Sequence, residues 1–372
     1  MTAYVFIQPL DVLLLRGNRL FGAPGSYGES LIPPWPSAAA GAIRAHILTR
    51  DGSDLPAFAA GQTPHPELGT PAQPGAFAVT DFQLARQVGG HQESLHPLPA
   101  DLVVTRRDTG DLVIHTLKPH QPATGIASSS VLASLPVLAG PMRAKPVTGL
   151  WLTDAGWRAY LAGQLPTPGQ CLDTSHLWRL EARVGVGLDL ARGRAEDGKL
   201  FTAQAVAFAP DVGFLTGITG TSALAAATIR LGGDGRGAHM TPSAYRPPQT
   251  DLRVIANQRR ARLVLTAPGL FTDGWRLPGV DASGHFQLGA VRGRLTCAAV
   301  PRYEVVSGWD LARGRPKTAQ RAAPAGSVYW LEDLEAEASD LDKLVATGLW
   351  RAAEENPPRR VEGFNRFTFA MY

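Results

Sequence analysis

The chain has 372 residues, which is long for a single hydrophobic core and suits two domains. Its hydrophobic content of 44% and charged content of 18% are those of an ordinary globular protein and exclude a disordered chain. The net charge of +4 is mild for a protein that binds free nucleic acid, so the distribution of charge along the chain is more informative than its total.

The cysteines and the apolar runs of the sequence indicate the cellular compartment in which we expect the protein. The two cysteines, Cys171 and Cys297, lie far apart, which argues against a disulfide framework or a cysteine-based zinc site. The longest apolar runs, such as residues 5–15, are interrupted by polar residues and are too short to span a bilayer. Residues 1–12 lack the pattern of a signal peptide. We therefore expect a cytoplasmic protein without membrane contact.

The first elements follow from hydrophobic periodicity. Residues 4–15 alternate or are continuously apolar and predict a buried strand. Residues 16–19 predict a turn, because glycine and asparagine there tolerate left-handed backbone, and residues 22–34 predict a loop.

A helix is predicted next, over residues 38–49. Ser37 is the expected N-cap, and Ile43 and Ile47, four residues apart, are expected on its buried face. Prolines are frequent over residues 51–76, which we expect to form a surface insertion.

The remaining elements mix strands and helices. Strands are predicted over residues 77–83, 102–105, 112–117, 261–266 and 328–330. A short helix is predicted over residues 153–161 and a final helix over residues 340–353. Residues 181–207 predict a long hairpin whose charged turn, residues 191–199, projects from the body. Because no regular βα repeat is present, we predict an α+β fold with antiparallel sheets.

The most informative segment, residues 308–330, is glycine-rich and basic. It opens on a turn containing Trp309, and one acid, Asp310, opposes four bases: Arg313, Arg315, Lys317 and Arg321. Basic side chains on such a loop can meet the phosphates of a polyanion, and an aromatic ring offers a face for base stacking. A solvated surface loop is the alternative.

A second glycine-rich segment, residues 229–237, also carries arginines. The backbone amides of such a turn can form an anion-binding nest. The segment lacks the spacing of a dinucleotide fingerprint, and a flexible connector remains the alternative.

Catalytic motifs are sparse. Metalloprotease, P-loop and nucleophile-elbow motifs are missing, and the closest histidine pairs are five residues apart, so we expect no metal and no cofactor. His46 and His239, which have arginines nearby in the sequence, are the candidates for the general base of a metal-free ribonuclease. A histidine in a helix is more often structural.

Several blocks of the sequence resemble one protein family. They are PLDVLLLRGNRLF and IPPWPSAAAGAIRAHI near the start, then HPLPADLV, EARVGVGLD, IRLGGDGR, SGWDLARGRPK and PAGSVYW. In this order the blocks resemble RAMP-superfamily subunits of type III CRISPR effector complexes, and most closely the third subunit of the type III-B (Cmr) complex. Residues 51–76 and 333–355 lie outside the resemblance.

The resemblance implies two ferredoxin-like (RRM-type) modules with antiparallel sheets and inserted loops, over residues 1–165 and 166–372. It implies a non-catalytic subunit that holds the 5′ repeat-derived tag of the CRISPR RNA (crRNA). The implied neighbours are the large polymerase-like subunit and the backbone RAMP subunit that carries the target-cleaving aspartate. The aromatic pair of a classical RRM is not evident in the strands, which favours a grip by loops.

By position, we expect RNA contacts after the first strand, on the first helix and in both glycine-rich segments. The expected residues are Arg16, Arg19, Arg44, Arg230, Gly232, Gly233, Arg236, Trp309, Arg313, Arg315, Lys317, Arg321, Gly326 and Ser327. Arg143 and Lys145 are further candidates. Arg192 and Arg194, at the hairpin tip, belong to a finger that kinks RNA or docks on a neighbour, or to a solvated turn.

Two other functions stay open. One is a RAMP endoribonuclease that processes precursor CRISPR RNA, although residues 308–330 contain no histidine. The other is a protein-only scaffold, against which the basic loops argue.

Overall fold

The computed structural model describes residues 2–17, 27–123, 128, 130–139, 145–189, 191–352 and 355–372. Within these segments, no helix is long and apolar enough to cross a membrane.

Strands predominate over helices. In chain order the strands are β1 (Ala3–Pro9), β2 (Tyr27–Gly28), β3 (Ala78–Val88), β4 (His91–Pro97), β5 (Leu102–Arg106), β6 (Leu112–Thr116), β7 (Lys118–His120), β8 (Leu135–Val137), β9 (Leu150–Leu152), β10 (Cys171–Asp173), β11 (Trp178–Asp189), β12 (Arg194–Phe208), β13 (Val212–Thr219), β14 (Ala227–Arg230), β15 (Gly237–Ser243), β16 (Ala261–Leu265), β17 (His285–Leu288), β18 (Val291–Ala299), β19 (Glu304–Val306), β20 (Trp309–Asp310), β21 (Arg315–Pro316), β22 (Gln320–Ala322), β23 (Val328–Glu335) and β24 (Phe367–Ala370). The α-helices are α1 (Pro36–Arg50), α2 (Leu55–Ala59), α3 (Asp154–Leu161), α4 (Leu252–Gln258), α5 (Ala338–Thr347) and α6 (Pro357–Val361).

The first large sheet is antiparallel, in the order β10-β9-β4-β3-β13-β1-β15-β14. β1 lies between two strands from much later in the chain: Phe6 is opposite Leu215 of β13 and Thr241 of β15. Helix α1 connects β1 to β3 and contacts β3 and β14. Its Ile43 and Ile47 are fully buried, as the sequence predicted.

The start of α1 differs from the prediction. Trp35, not Ser37, is the N-cap, and Pro36 is the first helical residue. Proline suits this position because its ring fixes φ near the helical value and the missing N–H would have no helical acceptor. Ser37 therefore lies inside the first turn.

The second large sheet has the order β17-β18-β23-β16-β24 and is also antiparallel. Its strands β16, β18, β23 and β24 take the same relative positions as β1, β3, β13 and β15 of the first sheet. In the second sheet the helix is α5, which lies in the chain between β23 and β24. The predicted α+β fold with antiparallel sheets is confirmed.

The two sheets share a buried cluster of side chains. Tyr160 of α3 packs in it with Val264 and Trp330 from the second sheet. At its centre Arg262 donates from Nη1 to Asp101 Oδ2 at 2.7 Å, and Tyr160 donates its hydroxyl to Asp101 Oδ1 at 2.8 Å. This buried network ties the second sheet to the first half of the chain.

The structure bears on two predictions about organisation. The boundary between residues 165 and 166 does not separate the sheets, because β13 and β15 complete the first one. Residues 51–76 are not a mere surface insertion: Phe58 and Leu68 join the main core. His65 fixes this segment, since its Nε2 lies 3.0 Å from Asp51 Oδ2 and its Nδ1 accepts two backbone N–H groups.

Candidate nucleic-acid interface

The basic segment forms a β-hairpin over residues 304–322. β19 pairs with β22, and β20 pairs with β21 further towards the tip. Side chains alternate: Val306 and Ala322 point inward and pack in a cluster with Trp35. Trp35 also donates from its indole Nε1 to Glu304 Oε2 at 3.1 Å. We call this element the basic hairpin.

The outward face of the basic hairpin combines aromatic rings with cations. Arg321 lies over the ring of Tyr303, with its guanidinium carbon 5.0 Å from the ring centroid. Trp309 is 58% exposed and Leu311 is 82% exposed. Sequence reasoning missed Tyr303, because only the pairing of β19 with β22 brings it beside Arg321. Exposed rings next to guanidinium groups can stack on bases and contact phosphates.

The cations of the basic hairpin differ in their surroundings. Arg315 is exposed and lies opposite Asp310 across the β20–β21 pair, and Arg313 is exposed with its Nε 3.8 Å from Asp310 Oδ2. Lys317 instead forms an ion pair with Glu362, whose side chain is only 3% exposed. Arg359 Nη1 donates to the same carboxylate at 3.2 Å. Lys317 thus anchors the base of the hairpin to the segment after α6.

Gly326 and Ser327 connect the hairpin to the second sheet. The Gly326 amide donates to the Leu265 carbonyl at 2.7 Å, and the Ser327 amide donates to the Pro324 carbonyl at 3.2 Å. Gly326 has φ +86°, a backbone conformation that favours glycine. Both amides that the sequence assigned to RNA therefore have acceptors inside the protein.

The second glycine-rich segment turns back onto the residues that follow β1. The Gly233 amide donates to the Leu14 carbonyl at 2.8 Å. Gly232 has φ +76°, and a Cβ there would lie 2.9 Å from the Leu14 oxygen, so glycine is required. Arg236 Nη1 lies 3.1 Å from Asp11 Oδ2, whereas Arg230 is exposed at the end of β14.

Arg16 lies close to this turn. It is exposed and forms an isolated bridge with Ser30. The Leu31 amide donates to the Leu15 carbonyl at 2.6 Å. The segment from Ser30 to Trp35 therefore runs from the Arg16 region to the basic hairpin. Arg19 and Arg143 lie outside the described residues, and Lys145 is exposed.

Arg44 of helix α1 feels the charges of Asp310 on the basic hairpin and of Glu362. Its side chain is half-buried, and burial lowers the pKa of its guanidinium, against the opposing effect of Glu362 and Asp310. The structure thus brings Arg44 into one electrostatic neighbourhood with Lys317, although the two residues are far apart in sequence.

The hairpin of β11 and β12 extends beyond the predicted residues 181–207 at both ends, and its turn is shorter than predicted, because β12 already begins at Arg194. Arg192 and Arg194 are exposed at the tip. One face of the hairpin carries exposed aliphatic side chains, among them Val184 (71% exposed) and Leu200 (58% exposed).

His46 and His239, the candidate general bases, lie in different surroundings. Burial and Arg50 lower the pKa of His46 from 6.5, with Asp51 opposing, whereas His239 is exposed on β15. Neither His46 nor His239 is part of the basic hairpin. Among the described residues, no group of three His, Cys, Asp or Glu side chains is placed to hold a metal ion.

A serine, a histidine and an aspartate also meet in the core. Ser94 Oγ lies 2.9 Å from His96 Nε2 and donates to Asp154 Oδ1 at 2.6 Å. Asp154 thus contacts the serine rather than orienting the histidine, and burial lowers the pKa of His96 to about 3. Ser94 is fully buried, so this set does not offer a nucleophile to a substrate.

Comparison with known proteins identifies relatives of the whole chain. The family model described as CRISPR-associated protein (Cas_Cmr3) matches residues 5–369. No curated protein sequence matches the chain. A chain in the cryo-EM structure of the type III-B Cmr-beta bound to cognate target RNA is similar in fold, with a TM-score of 0.50 and 13% identity, over 98% of this chain and 96% of that chain. A chain in the Cmr-beta structure with target RNA and AMPPnP (state 1) has a TM-score of 0.50 and 14% identity, over 98% and 95%.

Proposed function

The chain belongs to the Cas_Cmr3 family of CRISPR-associated proteins, and on that premise we propose that it is an RNA-binding subunit of a type III-B CRISPR effector complex. In this role it holds the 5′ repeat-derived tag of the crRNA and docks the large polymerase-like subunit and the backbone RAMP subunit. Membership of a cytoplasmic ribonucleoprotein suits a chain whose described helices include none that could cross a membrane.

The outward face of the basic hairpin is the observation that best supports RNA binding. Arg313, Arg315 and Arg321 are exposed there, together with Tyr303 and Trp309. Arginine contacts phosphate through several N–H groups, and aromatic rings stack on bases of any sequence. A solvated loop would not need large exposed rings beside its charges.

The strand order supports the two ferredoxin-like modules that the resemblance implied. A ferredoxin-like sheet places its four strands so that the first and third are central, as β1 and β13 are in the first sheet and β16 and β23 in the second. Each module keeps one of the two crossover helices of that fold, α1 in the first and α5 in the second. The glycine-rich segment before β15 stands in place of the missing helix of the first module.

We propose that the subunit does not cleave RNA. The histidines near arginines, His46 and His239, lie outside the basic hairpin, and the buried Ser94 cannot reach a substrate. A cleavage assay on repeat-derived RNA tests this proposal. A product that forms with the purified wild-type chain and disappears in His46→Ala or His239→Ala would identify a processing ribonuclease instead.

RNA binding is tested by filter binding of tag RNA to the wild type and to an Arg315→Ala/Arg321→Ala variant. The matched control is Arg253→Ala, which removes an exposed arginine from α4, away from the hairpin. We expect weaker binding only for the hairpin variant. Equal affinity of all three proteins would exclude the hairpin as the RNA site, and no binding by the wild type, alone or with its partner subunits, would favour a protein-only scaffold.

A further inference from the structure

The basic hairpin consists of two short ladders separated by a waist. Near the base, β19 and β22 form three residue pairs, and towards the tip, β20 and β21 form only two. At the waist between them, the Lys317 amide donates to the Gly308 carbonyl at 2.9 Å. A ladder of two pairs cannot hold its own direction, because even a complete isolated hairpin is only marginally stable in water. Contacts at the waist therefore set the direction of the tip.

Two buried side chains from the segment around α6 contact this waist, one on each strand. Arg359 donates from Nη2 to the Ser307 carbonyl at 2.6 Å, and Glu362 accepts the Lys317 ammonium. Arg359 Nη1 also donates to Glu362 Oε2 at 3.2 Å. Across the hairpin, Ser307 donates its hydroxyl to the Lys317 carbonyl at 2.7 Å. These four residues, Ser307, Lys317, Arg359 and Glu362, form a closed ring of contacts that we call the waist clamp.

The waist clamp is fixed to the first sheet. Arg359 lies over the ring of Phe364, with its guanidinium carbon 5.2 Å from the ring centroid, and Phe364 is fully buried. Gly363 has φ +90°, and a Cβ there would lie 2.9 Å from Val79 Cγ1 of β3, so this segment lies directly against the first sheet. The direction of the hairpin tip is thus set relative to the first sheet.

The waist divides the outward face of the basic hairpin into two parts. The exposed side chains of the tip are Trp309, Arg313 and Arg315. Tyr303 and Arg321 lie on the other side of the waist, beside the ladder of β19 and β22. The side chains of Arg359 and Glu362 are 5% and 3% exposed, which is too deeply buried for contact with RNA. Any effect of these two residues on RNA must therefore pass through the hairpin.

We propose that Arg359 and Glu362 are positioning residues that hold the tip of the basic hairpin in the direction in which it contacts RNA. This inference rests on the proposed function and adds that Arg315 contacts RNA only while the waist clamp is intact, whereas Arg321 contacts it independently. The reason is geometric, because a hydrogen bond to phosphate weakens steeply when its angle departs from the favourable range. A guanidinium suits the clamp because its rigid fork of N–H groups reaches Glu362 and the Ser307 carbonyl at once.

The test is a pair of double-mutant cycles, measured by filter binding of tag RNA. Arg359→Met should weaken binding about tenfold, and so should Arg315→Ala, as expected for loss of one charged hydrogen-bonded contact. In the Arg359→Met background, Arg315→Ala should weaken binding by less than about twofold further, because its contact is already lost. Arg321→Ala should have the same effect in both backgrounds. Wild-type affinity of Arg359→Met, or an equal effect of Arg315→Ala in both backgrounds, overturns the positioning role.

Two further variants separate positioning from a general loss of stability. Arg359→Lys keeps a cation beside Glu362 but lacks the fork that also reaches Ser307, so it should fold and show the same reduced dependence on Arg315. The matched control is Arg262→Met, which removes another buried arginine, one that contacts Asp101 and not the hairpin. It should lower stability and leave RNA affinity unchanged. If Arg262→Met weakens RNA binding as much as Arg359→Met does, loss of stability is the cause and the positioning role is wrong.

Hydrogen exchange of the free protein tests the waist clamp without RNA. The Lys317 amide should exchange faster in Arg359→Met than in wild type, whereas the amides shared by β19 and β22 should keep their wild-type rates. Unchanged exchange at Lys317, or an equal increase in both parts of the hairpin, overturns the positioning role. Absence of RNA binding by the wild type overturns both proposals, whereas an undiminished effect of Arg315→Ala in the Arg359→Met background overturns the positioning role alone.

Discussion

Replacing Arg262 by methionine should reveal how strongly the second sheet is held to Asp101 and helix α3. The side chain is 7% exposed, and its partner Asp101 is 0% exposed. Besides the 2.7 Å contact with Asp101, Arg262 donates from Nη2 to the carbonyls of Met371 at 2.7 Å and Tyr160 at 3.1 Å. Methionine fills a similar volume but leaves the Asp101 carboxylate buried with Tyr160 as its remaining side-chain donor.

The expected cost is about 3–5 kcal/mol of the free energy of unfolding, the usual effect of removing one member of a buried ion pair. Replacing both members, as Arg262→Met with Asp101→Leu, should restore much of that loss, because no charge then stays buried. The two backbone carbonyls and the Tyr160 hydroxyl would still lack partners, so we expect the double variant to lie about 1–3 kcal/mol below wild type.

Urea unfolding measured by tryptophan fluorescence gives both values, since Trp330 lies in the same buried cluster. The double-mutant cycle isolates the coupling between the two side chains. If Arg262→Met stays within about 1 kcal/mol of wild type, or if the double variant is less stable than Arg262→Met, the pair does not stabilise the protein in the way described.

The remaining predictions concern RNA, acid and partners. Arg315→Ala/Arg321→Ala should lower the slope of log K for RNA binding against log[salt] by up to about 1.4 without changing the unfolding midpoint. Lys317→Ala should instead lower the unfolding midpoint, because Glu362 loses a partner. Equal unfolding midpoints for wild type and both variants would contradict the structural role of Lys317. Because burial lowers the pKa of His96 from 6.5 to about 3, the unfolded chain binds this proton first, and stability should fall by up to about 1.4 kcal/mol per pH unit as the pH drops from 6.5 towards 3. That contribution should be missing from pH-dependent unfolding of His96→Phe, and an identical acid profile would refute it. Because its net charge is only +4, the isolated chain should bind tag RNA modestly, and its complex with the large subunit should bind the RNA more tightly and selectively. Titrations of both samples with tag RNA measure the two affinities. Equally tight and selective binding by the chain alone would show that the site is complete without the partner.

Local structure in this protein could be predicted from the sequence because local forces determine it. The helical spacing of Ile43 and Ile47 identified α1, and alternation identified the long hairpin of β11 and β12. Glycines with basic neighbours located the segment that became the basic hairpin. The ends of the helices were predicted less accurately. Helix α1 has Trp35 as its N-cap, two residues before the predicted Ser37, because Pro36 occupies the first helical position.

Long-range pairing decided the rest. The sequence contains no local signal that β13 and β15 flank β1, and the boundary predicted between residues 165 and 166 does not follow the division into sheets. In the same way, only tertiary structure could show that Lys317 is paired with Glu362 while Arg44 is not, or that Tyr303 lies beneath Arg321. The sequence gives the charge of each side chain, but folding decides which partners come close to that charge, and this determines which arginines keep an unpaired charge at the surface.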